Sequence, residues 1–202
     1  MIALLSSAHT VHETSEPSRN LMKLRKGSHD ATGLTFGIVA SKFNKFVTSR
    51  LLAECVKALT KAGAVDEAIE VVRVPGAFEI PLVARQLARC GRFDAVICLG
   101  AVIRGDTPHF EFISTEVSRG ILQASMESNV PVVFGVLTTD TVAQAIERAD
   151  PTKMNRGADA AKTAVEMVNV MRLLGKEGSG EVPSPSVTPP RRAGRAATRQ
   201  KR

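Results

Sequence analysis

The sequence predicts an α/β protein of three layers (α/β/α), in which helices cover both faces of a four-stranded parallel sheet. Two observations support this fold class. Short apolar runs alternate along the chain with longer segments whose apolar residues recur every three or four positions. The 202-residue chain is also 44% hydrophobic, which is enough to bury the core of one such domain. Strands that alternate with helices in this way pair in parallel.

Each element has its own signal in the sequence. Short apolar runs predict strands at residues 34–40, 69–74, 94–101 and 130–137. Apolar residues at helical spacing predict helices around residues 52–59, 80–87, 110–128, 142–146 and 157–174. Thr48 or Ser49 is expected to cap the first helix, and Phe112 is expected in the buried stripe of the third. Right-handed crossovers then favour the flavodoxin-like strand order 2-1-3-4.

The two ends of the chain differ in composition from its middle. Residues 1–31 are polar without a period, and residues 175–202 are rich in Gly, Ser, Pro and Arg. Both ends are predicted to be disordered, and residues 32–174 to form one domain. The C-terminal end carries seven Lys or Arg and two Glu of a chain whose net charge is +7, so the domain is close to neutral. A solvated tail is the interpretation that this composition favours, and nonspecific contact with nucleic-acid phosphates is the alternative.

Composition also argues against several classes of protein. No apolar run reaches the ~18 residues of a membrane span, and the first residues lack the basic segment of a signal peptide. We therefore expect a cytoplasmic protein without membrane contact. Cys55, Cys90 and Cys98 lack metal-ligand spacing and are expected to be small buried residues in a reducing compartment. The absence of Trp and Tyr argues against a base-stacking surface for nucleic acid.

Polar and aromatic residues that interrupt the apolar pattern follow every predicted strand. They occupy residues 43–44, 75–79, 104–109 and 138–139. Because the carboxyl ends of parallel strands meet at one edge of the sheet, where ligands bind in this fold class, the sequence predicts a binding site there. His109 is the imidazole of these segments and can act as a general acid or base, with a purely local hydrogen bond as the alternative. Thr107 and the amides at the start of the next helix can bind a phosphate.

Five motifs occur in a fixed order within the predicted domain. They are GIVASKFN at 37–44, VPGAFEIP at 74–81, GAVIRGDTPHF at 100–110, FGVLTT at 134–139 and QAIER at 144–148. Together they resemble the 6,7-dimethyl-8-ribityllumazine synthase family over residues 32–174, but not over either tail. The resemblance implies a transferase that condenses 5-amino-6-(D-ribitylamino)uracil with 3,4-dihydroxy-2-butanone 4-phosphate and releases phosphate and water. The product is the immediate precursor of riboflavin, and the resemblance implies no metal and no organic cofactor.

The resemblance also implies how the uracil substrate is bound. Its contacts are implied to be Phe43, Ala77, Phe78, Glu79, Ala101, Val102 and Ile103. In this assignment Phe43 stacks on the pyrimidine and Glu79 accepts hydrogen bonds from the ribityl hydroxyls. Phe134 is implied to cover the pyrimidine from a neighbouring subunit.

The phosphorylated substrate is implied to contact a different group of residues. Asp106 and Thr107 are implied to touch its phosphate, Arg148 to pair with that phosphate, and His109 to transfer protons. From position alone, Arg148 is a surface arginine that suits the C-terminus of a helix. Asp106 departs from the family pattern, because many relatives carry a neutral residue there. We expect its carboxylate to point away from the phosphate.

The resemblance implies a homopentamer whose active sites lie between subunits. In some members of the family, twelve pentamers form a hollow shell. The turn at 149–157 has the length found in shell-forming members, but Pro151 and Met154 do not fit their glycine pattern. A non-catalytic member that binds riboflavin-like ligands or serves as a shell is the alternative, and the presence of His109 and Arg148 together argues against it.

Overall fold

Four parallel strands lie at the centre of the structure, which is a computed structural model. They are β1 (Phe36–Ser41), β2 (Ile69–Val74), β3 (Ala95–Ile103) and β4 (Val132–Thr139). Their order in the sheet is β2-β1-β3-β4, which confirms the predicted topology. β1 is wholly buried, and β3 is buried until its last residue, because both are central strands with helices on each face. This burial on both faces explains why β1 and β3 appear in the sequence as apolar runs.

Five α-helices cover the sheet. They are α1 (Lys45–Lys61), α2 (Ile80–Arg89), α3 (His109–Ser128), α4 (Val142–Ala149) and α5 (Arg156–Gly178). One hydrophobic core lies between the sheet and α1, α4 and α5, with Leu51 and Val165 among its buried members. A second core lies between the sheet and α2 and α3, with Ile80 and Ile121 among its members. The protein therefore has the three layers that the sequence predicts.

The structure describes residues 23–178, with side chains up to residue 175. The predictions for residues 1–22 and for the tail from residue 179 lie outside the described residues. Residues 23–31 were expected in a disordered lead, yet they pack along α5. The Asn169 side-chain amide donates to the carbonyls of Ser28 and Asp30 at 3.2 and 3.0 Å, and Ala31 is fully buried. Hydrogen bonds of this kind leave no apolar period in a sequence, so the boundary at residue 32 was placed too late.

Three local expectations need correction. α1 begins at Lys45 after Asn44, which is in the left-handed conformation (φ 55°), so neither Thr48 nor Ser49 is its cap. Cys90 is exposed at the C-terminal end of α2, whereas Cys55 and Cys98 are buried as expected. Phe112, expected in the buried stripe of α3, is 66% exposed.

The turn between α4 and α5 is held in place by Asn155. Asn155 adopts a positive φ of 43°, which asparagine tolerates better than most residues. Its side chain accepts a hydrogen bond from the Ala158 amide at 3.2 Å and donates to Glu54 of α1 at 3.1 Å. The turn is thereby fixed to α1.

Among residues 23–178, no helix has the length and apolar character needed to cross a membrane.

Candidate active site

A cleft of about 900 Å³ opens at the carboxyl ends of β1, β2 and β3. Nine of the twelve predicted site residues line it: Phe43, Ala77, Phe78, Glu79, Ala101, Val102, Ile103, Thr107 and His109. They come from the β1–α1 loop, the β2–α2 loop, the end of β3 and the start of α3. The structure therefore brings together residues that are far apart in the sequence, at the edge of the sheet where the topology predicts a ligand.

Hydrogen bonds from neighbouring loops hold Phe43 at the mouth of the cleft. The Phe43 amide donates to the Pro75 carbonyl at 3.0 Å. The Asn44 side chain donates to the Ala101 carbonyl at 3.0 Å, which ties the β1–α1 loop to β3. The Phe43 side chain itself is 70% exposed. An exposed aromatic ring on a backbone that is held in this way can stack on a planar ligand.

The β2–α2 loop presents the Glu79 carboxylate to the cleft. One carboxylate oxygen of Glu79 accepts a hydrogen bond from the Gly76 amide at 2.8 Å, which closes a tight turn. A carboxylate has acceptor sites on both oxygens, so Glu79 can still accept hydrogen bonds from ligand hydroxyls. The exposed Phe78 ring lies next to it along the chain and lines the same cleft.

The end of β3 supplies a mostly buried apolar wall of the cleft. Ala101 and Val102 are almost fully buried and Ile103 is partly buried. All three pair with the end of β4, with Ala101 opposite Leu137 and Ile103 opposite Thr139. This wall can contact a flat ring through its backbone and small side chains.

His109 is the first residue of α3, directly after the Pro108 cap, and its side chain is exposed in the cleft. The N-terminus of this 20-residue helix carries partial positive charge and unpaired amides, which attract anions. Thr107 lines the cleft at the same place. Asp106 is exposed and is not among the lining residues. The site thus combines an imidazole with an anion-binding helix end.

Phe134 and Arg148 lie elsewhere in the chain. They line a second cleft of about 600 Å³ between β4, α4 and α5, together with Arg156 and Met167. The Phe134 ring is 45% exposed, and β4 is the edge strand of the sheet. The Arg148 guanidinium donates to the Gln144 carbonyl at 3.3 Å. A single chain therefore carries two clefts, each with part of the predicted site.

Several lining residues were not named individually as substrate contacts. Asn44, Pro75, Gly76 and Gly105 lie in the segments that were predicted to form the site, whereas Phe110, Phe112 and Ile113 were not expected there. Asn44 had one usable signal, because an asparagine before a helical pattern is a common cap. Phe112 had a misleading signal, because its helical spacing matched the buried stripe of α3.

The two buried cysteines are poorly suited to covalent chemistry, and the exposed Cys90 lies at the C-terminal end of α2 and does not line the cleft. Burial raises the pKa of the Cys55 thiol to about 12, and burial likewise raises the pKa of Cys98. A thiol held in its neutral form is a poor nucleophile.

Within residues 23–178 no three His, Cys, Asp or Glu side chains are grouped to hold a metal ion. The described cleft offers proton transfer, ring stacking and anion binding.

Two comparisons with known proteins point to the same family. The family described as 6,7-dimethyl-8-ribityllumazine synthase matches residues 33–172. A protein of Syntrophus aciditrophicus (strain SB) with the name 6,7-dimethyl-8-ribityllumazine synthase is 61% identical over 144 residues. The match covers 71% of this chain and 94% of that protein.

Proposed function

This chain belongs to the 6,7-dimethyl-8-ribityllumazine synthase family, and we propose that two of its subunits share each active site. The enzyme condenses 5-amino-6-(D-ribitylamino)uracil with 3,4-dihydroxy-2-butanone 4-phosphate to 6,7-dimethyl-8-ribityllumazine, in the penultimate step of riboflavin biosynthesis. In our proposal the cleft that contains His109 forms one half of the site. The cleft of a neighbouring subunit that contains Phe134 and Arg148 forms the other half.

The separation of the site residues within one chain is the observation that carries this proposal. Phe134 and Arg148 line one cleft, and His109 lines another. Both clefts are open, and β4 has one edge without a strand partner among the described residues. A sheet edge of this kind is ready to be covered by another chain. A neighbour that covers β4 would place its own His109 cleft against Phe134 and Arg148.

Exposed apolar side chains support self-association. Leu82 of α2 and Leu122 and Met126 of α3 are 74%, 63% and 77% exposed. Large exposed apolar groups on packed helices are typical of surfaces that another chain covers. We propose a homopentamer, and native mass will distinguish it from a shell of twelve pentamers.

The free cysteines suit a reducing compartment, and we propose that the enzyme is cytoplasmic.

In the proposed mechanism the uracil substrate binds in the cleft that Phe43 and Glu79 line. Its ring stacks on Phe43 against the wall formed by Ala101, Val102 and Ile103. Its ribityl hydroxyls donate hydrogen bonds to Glu79, next to Ala77 and Phe78 in the chain, and Phe134 of the neighbouring subunit covers the ring. These contacts hold the reactive amine in place, and positioning of this kind supplies a large part of an enzyme's rate.

The phosphorylated ketone binds at the start of α3. Its phosphate accepts hydrogen bonds from Thr107 and the helix amides, with the backbone of Asp106 beside them, and pairs with Arg148 of the neighbouring subunit. The amine attacks the carbonyl carbon, and loss of water gives an imine. Loss of a proton from the neighbouring hydroxyl-bearing carbon then expels inorganic phosphate and leaves an enol, which tautomerises to a ketone. The ribitylamino nitrogen attacks this ketone, and loss of a second water closes the ring of the lumazine. His109 transfers the protons that these steps require, a contribution of about 10²–10⁴-fold.

Turnover by the wild-type protein tests the proposal. The purified full-length chain is mixed with both substrates, and lumazine is followed by its absorbance while released phosphate is measured separately. We expect equal amounts of lumazine and phosphate, from an assembly whose native mass is that of a pentamer or of a multiple of it. A folded monomer that is fully active would contradict the shared site. A folded oligomer without lumazine formation would contradict the catalytic role of both clefts.

A further inference from the structure

We propose that Arg104 is a positioning residue that fixes the loop carrying Thr107 and His109. Arg104 is not among the residues that line the cleft, so it would act through this loop rather than on the substrate. The inference rests on the function proposed above and adds a residue to it. The sequence placed Arg104 in the segment 104–109 of the predicted binding site, but no role of its own was predicted for it.

The contacts of Arg104 join three elements of the fold. Its backbone amide donates to the Thr139 carbonyl at the end of β4, at 2.9 Å. Its Nε donates to the Asp140 carboxylate at 2.8 Å, and another nitrogen of the guanidinium donates to Glu111 in the first turn of α3. The guanidinium also lies over the Phe110 ring, 4.2 Å from its centre. Arg104 therefore connects β3, β4 and the start of α3.

This arrangement fixes both ends of a short loop. Residues 105–108 join Arg104 to His109, and Gly105 has no side chain to restrict its backbone. Such a loop is mobile unless its ends are held. Arg104 holds the first end against β4 and the second end through Phe110 and Glu111. The imidazole of His109 and the hydroxyl of Thr107 are thereby kept on one side of the cleft.

Arg104 also pairs two carboxylates close to the start of α3. Hydrogen bonding to Arg104 lowers the pKa of Glu111, and the same contacts raise the pKa of the guanidinium. The carboxylate of Glu111 and the guanidinium of Arg104 are therefore charged near neutral pH. Without Arg104, Glu111 and Asp140 would present unpaired negative charge near a helix end that is proposed to receive a phosphate. This negative charge would repel the phosphorylated substrate and weaken its binding, whereas binding of the uracil would be unaffected.

The chain contains a closely matched control for these contacts. Arg92 pairs with Glu70 at 2.7 Å and lies over the Phe93 ring, 4.7 Å from its centre. It precedes β3, at the end of the sheet opposite the cleft. Arg92→Gln removes the same kinds of contact as Arg104→Gln but leaves the loop untouched. Any difference in kcat or KM between the two variants is therefore due to the location of Arg104 beside the loop, and not to the loss of an exposed ion pair in general.

The test measures kcat, the KM of each substrate and thermal stability for the wild type, Arg104→Gln, Arg104→Lys and Arg92→Gln. For Arg104→Gln we expect a kcat lower by about tenfold and a KM for the butanone phosphate higher by about tenfold. The KM for the uracil should stay within about twofold of wild type, because its cleft residues do not depend on the loop. Lys cannot span both carboxylates as a planar fork, so Arg104→Lys should restore only part of the activity. Arg92→Gln should match the wild type.

Two further variants keep the test decisive if Arg104→Gln does not fold. Asp140→Asn and Glu111→Gln each remove one charged partner of Arg104 without leaving unpaired negative charge. Each should therefore raise the KM for the butanone phosphate only through looser positioning of the loop, by less than Arg104→Gln does, and should leave the KM for the uracil unchanged. The inference is overturned if these variants and Arg104→Gln behave like Arg92→Gln. It is also overturned if both KM values rise together in step with lost stability. An inactive wild type would instead overturn the proposed function, and this inference with it.

Discussion

His109→Ala slows lumazine formation by about 10²–10⁴-fold and leaves measurable turnover. The imidazole lies at the start of α3 and lines the cleft, where it can move protons as the imine forms and as phosphate leaves. Turnover persists because the two substrates are reactive by themselves and remain aligned by the rest of the cleft. Lumazine absorbance under saturating concentrations of both substrates measures the loss in kcat.

His29→Ala is the matched control for this variant, because His29 is exposed in the N-terminal segment and does not line the cleft. It should retain wild-type kcat. Complete loss of activity in a folded His109→Ala protein would contradict the view that positioning provides most of the rate. A wild-type kcat in the His109→Ala protein would show that His109 does not transfer protons in the reaction.

Arg148→Ala raises the KM for the butanone phosphate by about ten- to a hundredfold and leaves the KM for the uracil near its wild-type value. The expected size follows from the loss of one or two charge-assisted hydrogen bonds to a phosphate. Arg148 keeps a contact with the Gln144 carbonyl at 3.3 Å, which holds its side chain within the second cleft. Initial rates at varied concentrations of each substrate, with the other saturating, give the two KM values.

Arg148→Lys and Arg92→Ala accompany this measurement. Lysine keeps the charge but loses the bidentate geometry, so its KM should lie between those of the wild type and Arg148→Ala. Arg92→Ala removes an exposed arginine away from both clefts and should change neither KM. An unchanged KM for the butanone phosphate in Arg148→Ala would refute the assigned phosphate contact.

Most of the fold could be predicted from the sequence, because the central strands are buried on both faces and therefore appear as unbroken apolar runs. It also located the main cleft, since the loops after β1, β2 and β3 meet at one edge whatever the detailed packing. The start of α1 was misjudged. Asn44 takes the left-handed conformation and bonds to Ala101 on another strand, and neither feature has a local signal beyond the asparagine itself.

Other features depend on contacts that no local pattern encodes. Residues 23–31 are held by Asn169, which lies far along the chain on α5. Phe134 lies within an apolar strand, and its spacing does not reveal whether it faces the core, a cleft or another subunit. The partners of Arg104 come from two elements, and only the folded chain brings Asp140 and Glu111 to the same guanidinium.

The claim that two subunits share each active site is tested most directly by combining two impaired variants in one assembly. His109→Ala and Arg148→Ala subunits are co-expressed in equal amounts, and turnover is measured at a butanone phosphate concentration below the wild-type KM. If the site is shared, roughly a quarter of the interfaces in mixed assemblies combine an intact His109 cleft with an intact Arg148 of the neighbour. Turnover should then approach a quarter of the wild-type rate, well above either parent. Turnover equal to the mean of the two parents would show that both residues serve a site within one chain, and would contradict the account.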